Sequence, residues 1–130
     1  MTHIDYFKLQ AKNFIRDFKT QEIDETGITH YTPKFFPDID DIILAYDLDE
    51  KHFTLMNAQH IIALLAGFDN WSDLLHSSEA RLELGKLLFD YRRIDFNILD
   101  RWDFILADLP PMDDESKLNI FNAIVLNKFE

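Results

Sequence analysis

Five aspartates crowd one short stretch, Asp38, Asp40, Asp41, Asp47 and Asp49, and carboxylates at that density suggest a calcium loop first. Such a loop needs a glycine at its sixth position for the sharp turn and a glutamate at its twelfth for bidentate ligation. Neither run of aspartates is followed by that pair, so these side chains are expected to cap helices and meet water. His52, His60 and His76 come next. Two imidazoles share a helix face when they stand four residues apart, and none of these do. Each is read as an ordinary hydrogen-bonding side chain. An enzyme using His60 would need a carboxylate to orient the ring, and its helical neighbours Met56, Asn57, Ala63 and Leu64 supply none. The chain has no Gly-x-Ser-x-Gly elbow, no glycine-rich phosphate loop, no His-Glu-x-x-His and no cysteine. No catalytic, cofactor-binding or metal-binding residue is therefore assigned. Tyr31, Phe35 and Phe36 are the candidates for partner binding, because aromatic rings exposed between Pro33 and Pro37 would form the rigid apolar anchor that interfaces use.

The elements that must position these residues read as helices. Ile4, Phe7, Ala11, Phe14, Ile15 and Phe18 recur at helical spacing, and Thr2 stands where a cap belongs, so the first helix is expected over about 5–19. Residues 20–37 have no period and form a long connection; the run 31–36 could be a strand, but a lone strand has nothing to pair with. Asp38 is placed as the cap of a short helix with Ile39, Ile42, Ile43 and Tyr46 inward. Asp47 and its acidic neighbours then oppose that helix's dipole, a conflict the sequence does not explain. Thr54 opens a helix striped by Leu55, Ala58, Ile61, Ile62 and Leu65, which Gly67 ends and Phe68 closes. A short helix from Asn70 carries Trp71 and Leu74. The next begins at Ser77 or Ser78 and shows Ala80, Leu84, Leu87, Leu88 and Tyr91 on one face, with Gly85 in its interior at a cost of about 1 kcal/mol against alanine. Asp95 is placed as the cap of a helix with Ile98, Leu99, Trp102, Ile105, Leu106 and Leu109 on one side, stopped by Pro110 and Pro111. The last helix opens at Asp113 or Asp114. From Leu118 to Phe129 it is apolar nearly all round, as a central or a partner-facing helix would be. The fold class that follows is all-α: one domain over residues 1–130, an irregular bundle of about six helices around one aromatic-rich core.

Composition agrees with a globular chain. It is 47% hydrophobic and 28% charged, with 12 Phe, and has only three Gly and four Pro. The formal charge of −11 is spread over both halves, which repels nucleic acid and anionic membrane and favours a basic partner. The N-terminus lacks a basic stretch followed by an apolar run, and no apolar run reaches membrane-spanning length. The expected compartment is the cytoplasm.

The stretch from Asn57 to Leu75, with Ala58, Ala63, Gly67, Phe68, Trp71 and Leu74 as its markers, resembles the glyoxalase-related helical domains of small bacterial proteins, the match running over about 55–90. That resemblance implies a bacterial origin and a helical fold, and carries no catalytic residue over. The function expected is a non-enzymatic protein–protein interaction module, with the C-terminal helix as a contact for oligomers. An immunity protein or antitoxin that neutralises a basic toxin is the narrower alternative. A DNA-mimic inhibitor and an enzyme using His60 stand behind it.

Overall fold

A computed structural model describes residues 1–125. The fold is all-α, with seven α-helices and one two-stranded hairpin among the described residues. In chain order these are α1 (His3–Phe18), β1 (Glu22–Ile23), β2 (Thr29–His30), α2 (Ile39–Tyr46), α3 (Leu55–Leu65), α4 (Trp71–Leu75), α5 (Glu79–Tyr91), α6 (Ile98–Ala107) and α7 (Asp114–Ile120), which runs on into a π-helical turn, Phe121–Val125.

Local chemistry sets most helix ends. Thr2, Asn70, Ser78 and Asp113 each accept a backbone N–H in the first turn of the helix they precede. Thr54 does so within a reciprocal box, its own N–H donating to the Asn57 side chain at 2.9 Å. Gly67, at φ +84°, stops α3 with the paired bonds of a left-handed cap, Phe68 N–H to Ala63 O at 2.9 Å and Gly67 N–H to Leu64 O at 3.0 Å. The acidic end of α2 is explained in the same way. Asp47 occupies the left-handed region at φ 50°, which aspartate tolerates better than most residues, and lets Leu48 N–H reach Ile43 O. Two expected caps differ in the structure. Asp38 stands at the N-cap of α2, its carbonyl accepting Ile42 N–H at 3.1 Å, but its side chain makes no cap bond; Asp95 does not cap α6, whose N-cap is Asn97, and instead accepts Asn97 N–H and pairs with Arg101.

Helices α1, α3 and α5 pack around Phe7, Phe14, Phe36, Ile62 and Phe89, all fully buried. A second cluster holds Leu84, Leu88, Ile98, Trp102, Leu118 and Phe121 between α5, α6 and α7. The single core expected from the sequence is thus two clusters that share α5. Leu82 and Phe89 face the first, Leu84 and Leu88 the second. The central helix is therefore α5, not the C-terminal one, whose Leu118 and Phe121 are buried while Ile124 is exposed. Leu126 and Phe129, part of that expected apolar helix, lie outside the described residues.

Gly85 is required by a close approach. A Cβ there would lie 2.8 Å from Cε2 of Phe68 and 3.3 Å from the Ala66 carbonyl oxygen. Phe68 has little room to yield, with the Arg81 guanidinium 3.8 Å from its ring centre and Phe7 edge-on against it. Gly85→Ala gains about 1 kcal/mol of helix propensity and loses about 1–3 kcal/mol to overpacking. Urea denaturation should show net destabilisation, reversed when Phe68 is trimmed to leucine in the same chain.

The connection at 20–37, expected to be irregular, contains the hairpin, paired antiparallel as Glu22 with His30 and Ile23 with Thr29. Asp24 holds its turn. One carboxylate oxygen accepts Thr26 N–H (2.8 Å), the Thr26 hydroxyl (2.6 Å) and Ile28 N–H (3.0 Å), and the other meets His30 Nε2 at 2.7 Å. These bonds, the Thr26 hydroxyl foremost and then His30, hold the carboxyl well below the usual aspartate range. A folded value below the unfolded one stabilises the turn above about pH 4, and that contribution is lost as pH falls from there through the folded value. The amide protons of Thr26 and Ile28 should lose exchange protection on acidification from pH 5 to pH 2 before those of α1.

Candidate interaction surface

The segment expected to present an aromatic anchor is folded inward. Phe36 is 0% exposed, edge-on to Phe14 at 5.1 Å and to Phe89 at 6.0 Å. Phe35 and Tyr31 are half-buried against the first cluster, and the Tyr31 hydroxyl donates to the Glu50 carboxylate. The cause is Asp17. Its buried carboxylate accepts the backbone N–H groups of Lys34 (2.8 Å), Phe35 (2.9 Å) and Phe36 (2.6 Å) and draws the segment onto α1. Three charge-assisted bonds outweigh the exposure that two prolines suggest. The signature residues also pack: Ala58, Ala63, Phe68 and Leu74 are buried, Gly67 ends α3, and Trp71 leans on the first cluster.

The candidates for chemistry disperse in part. His76 bonds the Ser72 carbonyl at 2.8 Å, closing the end of α4. His52 and His60, eight residues apart, do share a recess of about 130 Å³ with Asp47, Asp49 and Asn57. There His52 Nδ1 lies 3.1 Å from Asp49, and both rings are exposed. Among the described residues no three His, Asp or Glu side chains converge as metal ligands. Asp38 turns away from this group toward Arg92.

Sequence reasoning missed two arginines, Arg81 and the buried Arg92 that meets Asp38. Arg81, from α5, donates through Nη2 to Gly67 O at 2.7 Å and stacks on Phe68, so a cation from another helix sits at the end of α3. Its partners lie 14 and 13 residues upstream, beyond any local pattern. Burial draws its pKa down, while Asp114, Asp103 and Asp69 oppose that. Arg81 lines a cleft of about 380 Å³ with Asp69, Asp100, Asp103 and Lys117 over a floor that includes Leu88, Leu99 and Trp102. Desolvation first, and then Asp100, push the Asp103 carboxyl up.

The apolar surface left open lies elsewhere than expected. Ile94 is 80% exposed, Phe104 75% and Phe96 43%. Ile94 and Phe96 line a recess with Asp38 and Asp41 of about 370 Å³. Phe96 and Asp100 line the next with Ala45 and Tyr46, and Asp100 and Phe104 line a third. Because Phe96 and Asp100 are each shared, the recesses join into one strip from α2 across the turn at 93–97 onto α6. Asp100 also borders the Arg81 cleft, so the strip ends beside Asp103. Among the described residues Asp41, Asp100 and Asp103 have no ion-pair partner within 4.0 Å. The strip therefore offers large apolar side chains beside Asp41, Asp100 and Asp103, with Arg92, Arg93 and Arg101 also among its lining residues.

No helix among the described residues is long and apolar enough to cross a membrane. No family model, no curated protein and no solved structure matches this chain.

Proposed function

We propose that the protein is a non-enzymatic interaction module of the bacterial cytoplasm, which binds a basic protein through the strip on α2, the 93–97 turn and α6. One observation carries the reading: Ile94, Phe96 and Phe104 are exposed together along one surface, beside Asp41, Asp100 and Asp103, which make no ion pair within 4.0 Å among the described residues. Exposed aromatic and branched side chains in one patch are what an interface buries, and carboxylates around them steer a cationic partner and reject an anionic one. The −11 charge acts in the same direction over longer range. A narrower form of the reading is an immunity protein or antitoxin, for which a small basic reading frame should lie next to the gene.

The test is affinity capture from the source cells followed by titration of the recovered partner. A single stoichiometric basic protein is expected, with association that slows as salt rises. Phe104→Ala should weaken binding at least tenfold, about 1.4 kcal/mol, without lowering stability, because the ring is exposed. Recovery of no stoichiometric partner, together with a strictly monomeric free protein, rejects the reading. Binding that competes with DNA would move the assignment to a DNA mimic. Among the described residues of the C-terminal helix, Ile124 is the large apolar side chain left exposed for self-association, since Leu118 and Phe121 are buried.

A further inference from the structure

The cleft bounded by the end of α3, α5 and α6 measures about 380 Å³, inside the range of about 300–1,000 Å³ that ligand sites occupy. Leu84, Leu88 and Trp102 are buried beneath it, and the half-buried Leu64, Leu99 and Leu106 show apolar surface to it. Asp69 reaches it from the link after α3, Asp100 and Asp103 from one turn of α6, and all three are exposed. The cleft is open as it stands, and nothing has to move for a ligand to meet these carboxylates. Its two cations do not cancel them. Arg81 is committed to the carbonyl end of α3, with Nη2 donating to Gly67 O at 2.7 Å and to Ala66 O at 3.4 Å and its guanidinium 3.8 Å from the Phe68 ring centre, so its charge is shared with that helix terminus. Lys117 makes no ion pair within 4.0 Å among the described residues. The sign that prevails is read at Asp103: beyond the effect of desolvation, Asp100 raises its carboxyl more than Arg81 lowers it. An anion in the cleft adds to that repulsion, and a cation relieves it.

We infer that this cleft receives an arginine side chain of the partner, its guanidinium among Asp69, Asp100 and Asp103 and its methylenes along Leu64, Leu99 and Leu106. Two carboxylates one turn apart and a third from the α3 side suit a planar group with five N–H donors, which serves several oxygens at once where an ammonium acts as a point charge. Guanidinium is also the more weakly hydrated of the two, so it gives up less water against apolar walls. Its three-carbon stem covers leucine surface that a bare ion leaves wet. That the arginine belongs to a protein rests on the function proposed above. Asp100 is shared by the cleft and the strip, so a chain lying along Phe96 and Phe104 has the cleft within reach of one side chain. The cleft then adds a recessed, charge-paired anchor to the open strip.

The experiment is a titration of the full chain, followed through the Trp102 indole N–H resonance, with N-acetylarginine methylamide and, in separate arms, the lysine, citrulline and glutamate compounds blocked in the same way. Citrulline keeps the shape of arginine and removes its charge. The arginine compound should shift the resonance and saturate, the lysine compound should bind more weakly, the citrulline compound weaker by about tenfold or more, and the glutamate compound should leave the resonance in place. Asp100→Asn and Asp103→Asn together should weaken arginine binding by about tenfold or more. Both positions are exposed and their charges repel, so the double variant should melt no lower than the unaltered chain. The inference is overturned if the arginine compound gives no shift, if the lysine, citrulline or glutamate compound matches it, or if the double variant binds it unchanged. Propylguanidinium that binds more tightly than the blocked residue assigns the cleft to a free small molecule and overturns the partner's side chain. Partner affinity that falls with Phe104→Ala and is untouched by the double variant overturns the cleft as a partner contact and leaves the proposed function standing. Capture of no partner overturns the proposed function and the partner's arginine with it, while the titration decides the guanidinium site by itself.

Discussion

Asp17→Ala lowers stability by about 3–5 kcal/mol in urea denaturation, a large share of what a domain of this size has. The substitution deletes one acceptor and strands three donors, the N–H groups of Lys34, Phe35 and Phe36. An unmade bond to a buried backbone group costs about 1–3 kcal/mol. Lys34 and Phe35 lie near the surface and recover part of that from water; Phe36 is sealed. Asp17→Asn should recover some of the loss, since an amide oxygen still accepts, but without the charge that strengthens these bonds. If both variants melt with the unaltered chain, Asp17 does not hold the segment.

Phe36→Ala should cost about 3–5 kcal/mol, the range for removing a fully buried aromatic ring, while Phe35→Ala, on a half-buried side chain, costs distinctly less. The ring of Phe36 fills the space between Phe14, Phe89 and the Arg92 guanidinium, and no one of these can close the gap alone. Thermal melting of the two single variants is sufficient. Equal losses would return Phe36 to the surface role that its sequence context suggests.

These two residues show where sequence reading stopped. Helix stripes were legible because they are local: the inward sets of α1, α2 and α3 are buried nearly as their spacing predicts, Leu55 being the clear exception at 43% exposed. The bundle class was legible for the same reason. The fate of residues 31–37 was not, because it depends on a carboxylate 17–19 residues upstream. A signal existed, since Asp17 interrupts the apolar stripe between Phe14 and Phe18. The hairpin escaped because two-residue strands carry no alternation, and its turn is made by one side chain. On α5 the face read from Ala80 to Tyr91 is the second cluster's face. Leu82 and Phe89, on the other side, were the mark of a helix with two apolar sides. The candidate surface was not legible: Ile94, Phe96 and Phe104 sit beside good core positions, and only the burial of Ile98 and Trp102 turns Phe104 outward.

The sharing of α5 by two clusters has a consequence for how the chain comes apart. A transient opening that detaches α6 and α7 leaves Leu82 and Phe89 seated, and one that detaches α1 and α3 leaves Leu84 and Leu88 seated, so α5 keeps a partner in either partial opening. Its interior amides are released only when both sides let go. In hydrogen–deuterium exchange the slowest protons of the molecule should therefore belong to the middle of this one helix, and their protection should report the global unfolding free energy.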